Sequence, residues 1–200
     1  MVVTDPSLFK GGDPVELCRR AVRGGATAVQ VRLKNASPRD VVALARRLVG
    51  VLPVPVLVND RVDLALAAGA AGAHLGQDDP PVGALRPHVP PGFLLGISVG
   101  SEAEAARAAA WGGDADYWSI GPCYATATKP DAGAPLGITG FTTLARLAPT
   151  GMPVIGIGGI TAGRVGELMG AGATGVAVTA AIWEATDPEA AARALRSATA

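Results

Sequence analysis

The sequence has little cysteine, histidine or lysine and few aromatic residues, and the shortages close off several classes of function. Two cysteines in 200 residues, Cys18 and Cys123, stand far apart in no metal-like spacing. That excludes a disulfide framework and fits a reducing cytosol. Two histidines, His74 and His88, cannot build a zinc site without other ligands. Only three of the 17 basic residues are lysine (Lys10, Lys34 and Lys129), and 17 acidic residues bring the formal net charge to zero. Such a chain lacks the basic stripe of a nucleic-acid-binding protein. Each apolar run is interrupted by Gly, Pro or a charge before reaching the roughly 18 residues that span a bilayer. Met1-Val-Val-Thr-Asp-Pro has no basic region followed by a long apolar one, so no secretion signal is expected. With 49% hydrophobic and 17% charged residues, disorder is excluded as well. The expectation is a cytoplasmic globular protein, an enzyme before anything else, with no nucleic-acid or membrane partner.

What is present is alternation. Short apolar runs lie at Met1–Thr4, Ala28–Arg32, Val54–Val58, Ala73–Leu75, Leu94–Ser98, Tyr117–Ile120, Val154–Ile157 and Gly175–Thr179. Stretches of helical period separate them, at Pro14–Arg23, Pro38–Val49, Val62–Ala68, Val82–His88, Glu102–Trp111, Phe141–Leu147, Ala162–Met169 and Pro188–Ser197. Ser37-Pro38 and Asp187-Pro188 each put a capping side chain before a proline at the first helical position, and Ser101 with Glu104 has the capping-box spacing. Eight strand-like runs, each followed by a helix, make the count of an α/β (β/α)8 TIM barrel. Gly-Ala joints at Gly24, Gly69, Gly112 and Gly172 precede the even-numbered strands, suited to a helix that stops in a left-handed turn. A doubly wound open sheet also alternates, but its Gly-rich first turn is absent. No linker divides the chain, so residues 1–200 are expected to form one barrel domain. A homo-oligomer is compatible with the sequence, which does not specify one.

The polar residues collect where barrel chemistry is expected, at the C-terminal ends of the strands. Gln30, Arg32 and Lys34 alternate after strand two, so their side chains can converge on one ligand. Strand three ends in Asn59-Asp60 and strand four in Gly76-Gln77-Asp78-Asp79. Asp60 and Asp79 could share Mg²⁺, a hard cation that keeps waters and leans on phosphate; Asp78 reads better as a helix cap. Ser98 at the end of strand five could meet a phosphate or cap the next helix. The segment Gly121–Gly137 is a long polar loop carrying Thr126, Thr128 and Lys129, and a loop of about twenty residues commonly works as a lid or binding loop. A mobile surface loop is the other reading. Gly156-Ile-Gly158-Gly159-Ile160 after strand seven and Thr179-Ala180 after strand eight suit the phosphate cradle that barrels build from backbone N–H groups. Cys123 has no adjacent base, the three tryptophans read as packing, and no Ser/His/acid triad is visible.

The site therefore has two anion-binding ends: Arg32, Lys34, Lys129 and Mg²⁺ for a diphosphate, and a backbone cradle for a monophosphate. Six segments in order carry a resemblance across nearly the whole chain. They are Val29-Gln30-Val-Arg32-Leu-Lys34, Val58-Asn59-Asp60, His74-Leu-Gly-Gln-Asp-Asp79, Gly121-Pro-Cys-Tyr-Ala-Thr126-Ala-Thr128-Lys129, Gly156-Ile-Gly-Gly-Ile160 and Ala177-Val178-Thr179-Ala180-Ala-Ile182. The sequence resembles the thiamin phosphate synthase (thiamin-phosphate pyrophosphorylase) family. That likeness implies an enzyme of thiamin biosynthesis, joining two small molecules, a hydroxymethylpyrimidine diphosphate and a thiazole phosphate, with release of pyrophosphate. By the same likeness Gln30, Arg32, Lys34, Asn59, Ser98 and Lys129 hold the pyrimidine diphosphate, with Lys129, Arg32 and Ser98 as the catalytic groups. Asp60 and Asp79 take Mg²⁺, while Thr126, Thr128, Gly159, Thr179 and Ala180 face the thiazole phosphate. The sequence departs from the family pattern at Gly100, Leu136 and Ala180, which bears on the acceptor contacts more than on the reaction. The competing readings are a thiazole tautomerase-like isomerase, whose relatives use a histidine where Gly100 stands, and a non-catalytic barrel that binds thiamin precursors.

Overall fold

The computed structural model describes residues 1–110, 114–128 and 133–199. Eight strands run in parallel: β1 (Val2–Val3), β2 (Val29–Val31), β3 (Val56–Asn59), β4 (Gly72–Leu75), β5 (Leu94–Val99), β6 (Tyr117–Ile120), β7 (Val154–Ile157) and β8 (Gly175–Ala177). They pair in chain order. The sheet closes on itself where the Val3 N–H donates to the Val178 carbonyl at 2.9 Å and the Val178 N–H to the Met1 carbonyl at 3.1 Å. The expected (β/α)8 barrel is the observed fold, and each strand end lies within two residues of its expected place.

The helices are α1 (Pro14–Arg23), α2 (Pro38–Val49), α3 (Val62–Ala68), α4 (Val82–Leu85), α5 (Glu102–Ala110), α6 (Gly137–Ala145), α7 (Ala162–Gly170), α8 (Ala180–Trp183) and α9 (Pro188–Ser197). Their starts follow from side chains that satisfy otherwise orphaned N–H groups. Ser37 accepts from the Asp40 N–H, and Asp187 accepts from those of Glu189 and Ala190. Three helices depart from expectation, the first being α4, which stops at Leu85 and gives way to a 3-10 turn over Arg86–His88. The α6 helix begins at Gly137 instead of Phe141 because Ile138, Phe141 and Leu144 already share its apolar face, which the neighbouring glycines obscure. The four-residue α8 is too short to leave a periodic signal. The first Gly-Ala joint also works differently. Gly25 holds the left-handed conformation (φ +105°), while a Cβ on Gly24 would run into the Glu189 carbonyl, so this glycine lets α1 seat against α9.

Strand alternation gives the barrel two faces. Residues aligned in register between neighbouring parallel strands point the same way. One set is Val2, Val29, Val31, Val56, Val58, Ala73, Leu75, Leu95, Ile97, Trp118, Ile120, Val154 and Val176, all buried in one apolar cluster with the helices. The other set faces the lumen. It includes Gln30, Leu57, Asn59, His74, Gly96, Ser98, Tyr117, Ser119 and Ile155, and it is largely polar.

Candidate active site at the barrel mouth

Gln30 stands on β2 inside the barrel, 3% exposed, and its amide Nε2 has no hydrogen-bond partner among the described residues. Leaving a buried donor unsatisfied costs about 1–3 kcal/mol, so this group is an anomaly in the protein alone and a ready donor for a ligand. Ser119 Oγ on β6 is buried and unpartnered in the same way. One step beyond β2, Arg32 is fixed by its backbone. The Thr4 hydroxyl accepts from the Arg32 N–H at 2.8 Å and donates to the Arg32 carbonyl at 3.1 Å. Lys34 lies beyond the strand, so strand alternation does not bring it back to Arg32. Its Nζ turns to the carbonyl of Thr128 at 3.3 Å, which joins the β2 and β6 loops. None of the ion pairs among the described residues uses Arg32 or Lys34.

Asp60 has φ +64°, a left-handed conformation that asparagine and aspartate accept more readily than most residues. The turn is held by its N–H, which donates to the His74 carbonyl at 2.7 Å. Asp79 Oδ2 accepts from the Gly76 N–H at 2.7 Å. Asp78 does not cap α4, whose N-cap is Pro81. Asp60 and Asp79 thus follow adjacent strands, β3 and β4, paired at Asn59 and His74. No group of three or more His, Cys, Asp or Glu able to hold a metal ion occurs among the described residues. Two carboxylates with no sulfur donor suit a hard cation that completes its shell with water and phosphate oxygens, not a protein-caged metal.

The far side of the mouth is built from backbone. Gly158 and Gly159 have φ +94° and +62°. A Cβ on Gly158 would lie 2.7 Å from Pro122 Cα, and one on Gly159 would overlap the Ala125 carbonyl. The two glycines therefore let the β7 loop pack under the β6 loop, a use the sequence motif does not announce. After β8, Thr179 stands at the N-cap position of the short α8 without a side-chain cap hydrogen bond, and the N–H groups of Ala180 and Ala181 donate to no backbone carbonyl among the described residues. Thr126 Oγ1 accepts from the Thr128 N–H at 3.3 Å. Lys129 lies outside the described residues.

Ser98 does not cap a helix; its Oγ is 3.0 Å from His74 Nε2, and His74 Nδ1 is 2.9 Å from the Tyr117 hydroxyl. Behind this group Gln77 donates to the Ser98 carbonyl at 2.6 Å and Glu104 accepts from the Gly100 N–H at 2.7 Å. Thr4, Ser119, Tyr117 and the side chain of His74 are the site groups that reading by motif did not single out. The signal was present in β6, where Tyr-Trp-Ser-Ile alternates polar and apolar side chains at period two.

The sequence profile of the family described as "Thiamine monophosphate synthase" matches residues 1–182. A thiamine-phosphate synthase of Methanoculleus marisnigri is 46% identical over 198 residues, covering 98% of this chain and 92% of the relative. One from Roseiflexus castenholzii is 44% identical over 197 residues, covering 97% and 85%. Among solved structures, a thiamine phosphate pyrophosphorylase from Pyrococcus furiosus superposes with a TM-score of 0.87 at 34% identity, covering 99% of this chain and 93% of the other.

Proposed function

The chain belongs to the thiamine monophosphate synthase family, and from that membership we propose how its residues divide the work of the reaction. The activity is that of a thiamine-phosphate synthase, a transferase of thiamine biosynthesis. A pyrimidine methyl diphosphate and a thiazole phosphate become thiamin phosphate and pyrophosphate. In our reading Gln30, Asn59 and Ser98 hold the pyrimidine diphosphate with Arg32, Lys34 and Lys129. Thr126, Thr128, Gly159, Thr179 and Ala180 receive the thiazole phosphate. Asp60 and Asp79 would hold Mg²⁺, which when bound neutralises charge on the diphosphate. The enzyme would work in the cytoplasm, with residues 1–200 as one domain.

The observation that carries the assignment is the unpartnered, buried amide of Gln30 beneath Arg32. A lumen that leaves a donor unsatisfied beside a cationic rim suits a polar ring bearing a diphosphate. The chemistry then needs no protein nucleophile. The bond from the pyrimidine methylene to the diphosphate oxygen breaks, and the aminopyrimidine ring bears the positive charge left on the carbon. Arg32, Lys34 and Lys129 stabilise the negative charge gathering on the departing diphosphate. The thiazole nitrogen, held near by its phosphate anchor, gives its electron pair to the methylene and becomes the quaternary nitrogen of the product.

The test is a discontinuous assay of thiamin phosphate and pyrophosphate with both substrates across a Mg²⁺ titration. Both products in equal amount, dependent on Mg²⁺, support the assignment. Folded protein that yields neither product at any Mg²⁺ concentration overturns it.

A further inference from the structure

The His74 imidazole lies at the centre of a hydrogen-bonded chain across three strands. Tyr117 on β6 reaches its Nδ1 at 2.9 Å and Ser98 on β5 its Nε2 at 3.0 Å. The two rings are stacked, with centroids 5.6 Å apart and planes at 25°. Gly96 lies between His74 and Tyr117 in the strand register, and any Cβ there would overlap the Tyr117 ring. The phenol lies across β5 in the space that glycine leaves.

Counting hydrogens gives the chain a direction. The Tyr117 hydroxyl has one proton and, among the described residues, one hydrogen-bond partner, His74 Nδ1. If Nδ1 carried the hydrogen, the phenol proton would be left without an acceptor in a largely desolvated place, at a cost of about 1–3 kcal/mol. The phenol therefore donates and Nδ1 accepts. Burial, helped by the neighbouring Asp116 carboxylate, pushes the Tyr117 pKa up, so the phenol keeps its proton. A neutral imidazole that accepts at Nδ1 carries its hydrogen on Nε2. That N–H donates to Ser98 Oγ, and the serine's own hydrogen is left to point elsewhere.

We propose that Tyr117 and His74 are positioning residues that fix Ser98 as a one-way hydrogen-bond donor toward the barrel mouth, where its partner is an oxygen of the departing diphosphate. A hydroxyl already committed as acceptor on its strand side, with no acceptor of its own among the described residues, needs no reorientation as charge develops on the leaving group. The proposal rests on the reading of Ser98 as a diphosphate ligand.

Two measurements test it. In steady-state kinetics Tyr117→Phe keeps the ring and removes the donor. It should lower kcat by roughly tenfold, the worth of one hydrogen bond, with KM for the pyrimidine diphosphate nearly unchanged. Added to Ser98→Ala, the same substitution should have almost no further effect, because its route runs through the missing hydroxyl. An equal loss in both backgrounds means that Tyr117 supports structure alone and overturns the proposal. The second measurement needs no turnover. Nitrogen-15 NMR of the wild-type protein, with His88→Gln to assign the two imidazoles, should show His74 neutral with its hydrogen on Nε2. A hydrogen on Nδ1 overturns the proposal even in a fully active enzyme. Absence of synthase activity with the Nε2–H form present would instead count against the function assigned to the site.

Discussion

The same eight strands carry two faces that differ in almost every respect, and one residue of displacement separates them. On β6, Trp118 and Ile120 point outward into the apolar layer under the helices, whereas Tyr117 and Ser119 point into the lumen. On β2, Val29 and Val31 pack outward while Gln30 between them is buried without a partner for its amide nitrogen. Among the described residues the outer face leaves one buried polar atom unpartnered, the Trp118 indole nitrogen, whereas the inner face leaves two, on Gln30 and Ser119. On the proposed function, stability and chemistry are separated by strand parity, not by distance along the chain.

The separation can be broken most forcefully at the residues proposed to meet the diphosphate. Asp60→Asn and Lys129→Ala should each lower turnover by roughly a hundredfold or more, with unfolding curves superimposable on the wild type. Near-normal rates in both variants would mean that the diphosphate lies elsewhere. The reciprocal substitution belongs to the outer layer. Leu168→Ala, at a fully buried position on α7, should cost about 2–5 kcal/mol by urea unfolding while kcat per folded molecule stays unchanged.

A smaller effect with opposite signs is expected inside the lumen. Gln30→Leu removes a buried donor that has no partner, so stability should hold or rise by about 1 kcal/mol, while KM for the pyrimidine diphosphate increases. A clear loss of stability would show that the amide is already satisfied in solution. The smallest effect concerns thiols outside the lumen. Burial pushes Cys18 up to about 12, aided by Asp13, and Cys123 up to about 11. Neither should react with an aromatic disulfide reagent at pH 8 in the native protein, and both should react once it is unfolded. Because the native thiols hold their protons longer than the unfolded chain, whose thiols titrate near ~8.5, their contribution to stability is complete below that pH. It declines as the pH rises through the native values.

Most of the fold was legible because its local signals agree with one another. Ser37-Pro38 and Asp187-Pro188 mark helix starts that the structure keeps, and the helices Pro14–Arg23, Pro38–Val49, Val62–Ala68 and Pro188–Ser197 have the expected bounds. The start of α6 was hidden because Gly137 and Gly140 look like loop, and α8 because one turn has no period. The candidate site could be proposed where residues cluster in sequence, as in Gln30-Val-Arg32 and Asn59-Asp60, though Lys34 lies beyond the strand and turns to the Thr128 carbonyl. It was not legible where register makes the contact: His74 and Tyr117 are 43 residues apart, and only the pairing of β4, β5 and β6 brings them together. Nor did the Gly158-Gly159 pair disclose that its first duty is to seat the β6 loop.

The closure of the sheet has a consequence for the timing of synthesis. Val3 on β1 bonds to Val178, just past β8, so β1, made before the other seven strands, must wait for the segment after β8 before its outer edge is paired. Until then a two-residue strand and the polar lumen behind it lie open on a nascent chain that cannot yet make its longest-range contacts. With so short an exposed edge, little template is offered to a neighbouring chain on the same polysome. During translation the brevity of β1 is a safeguard.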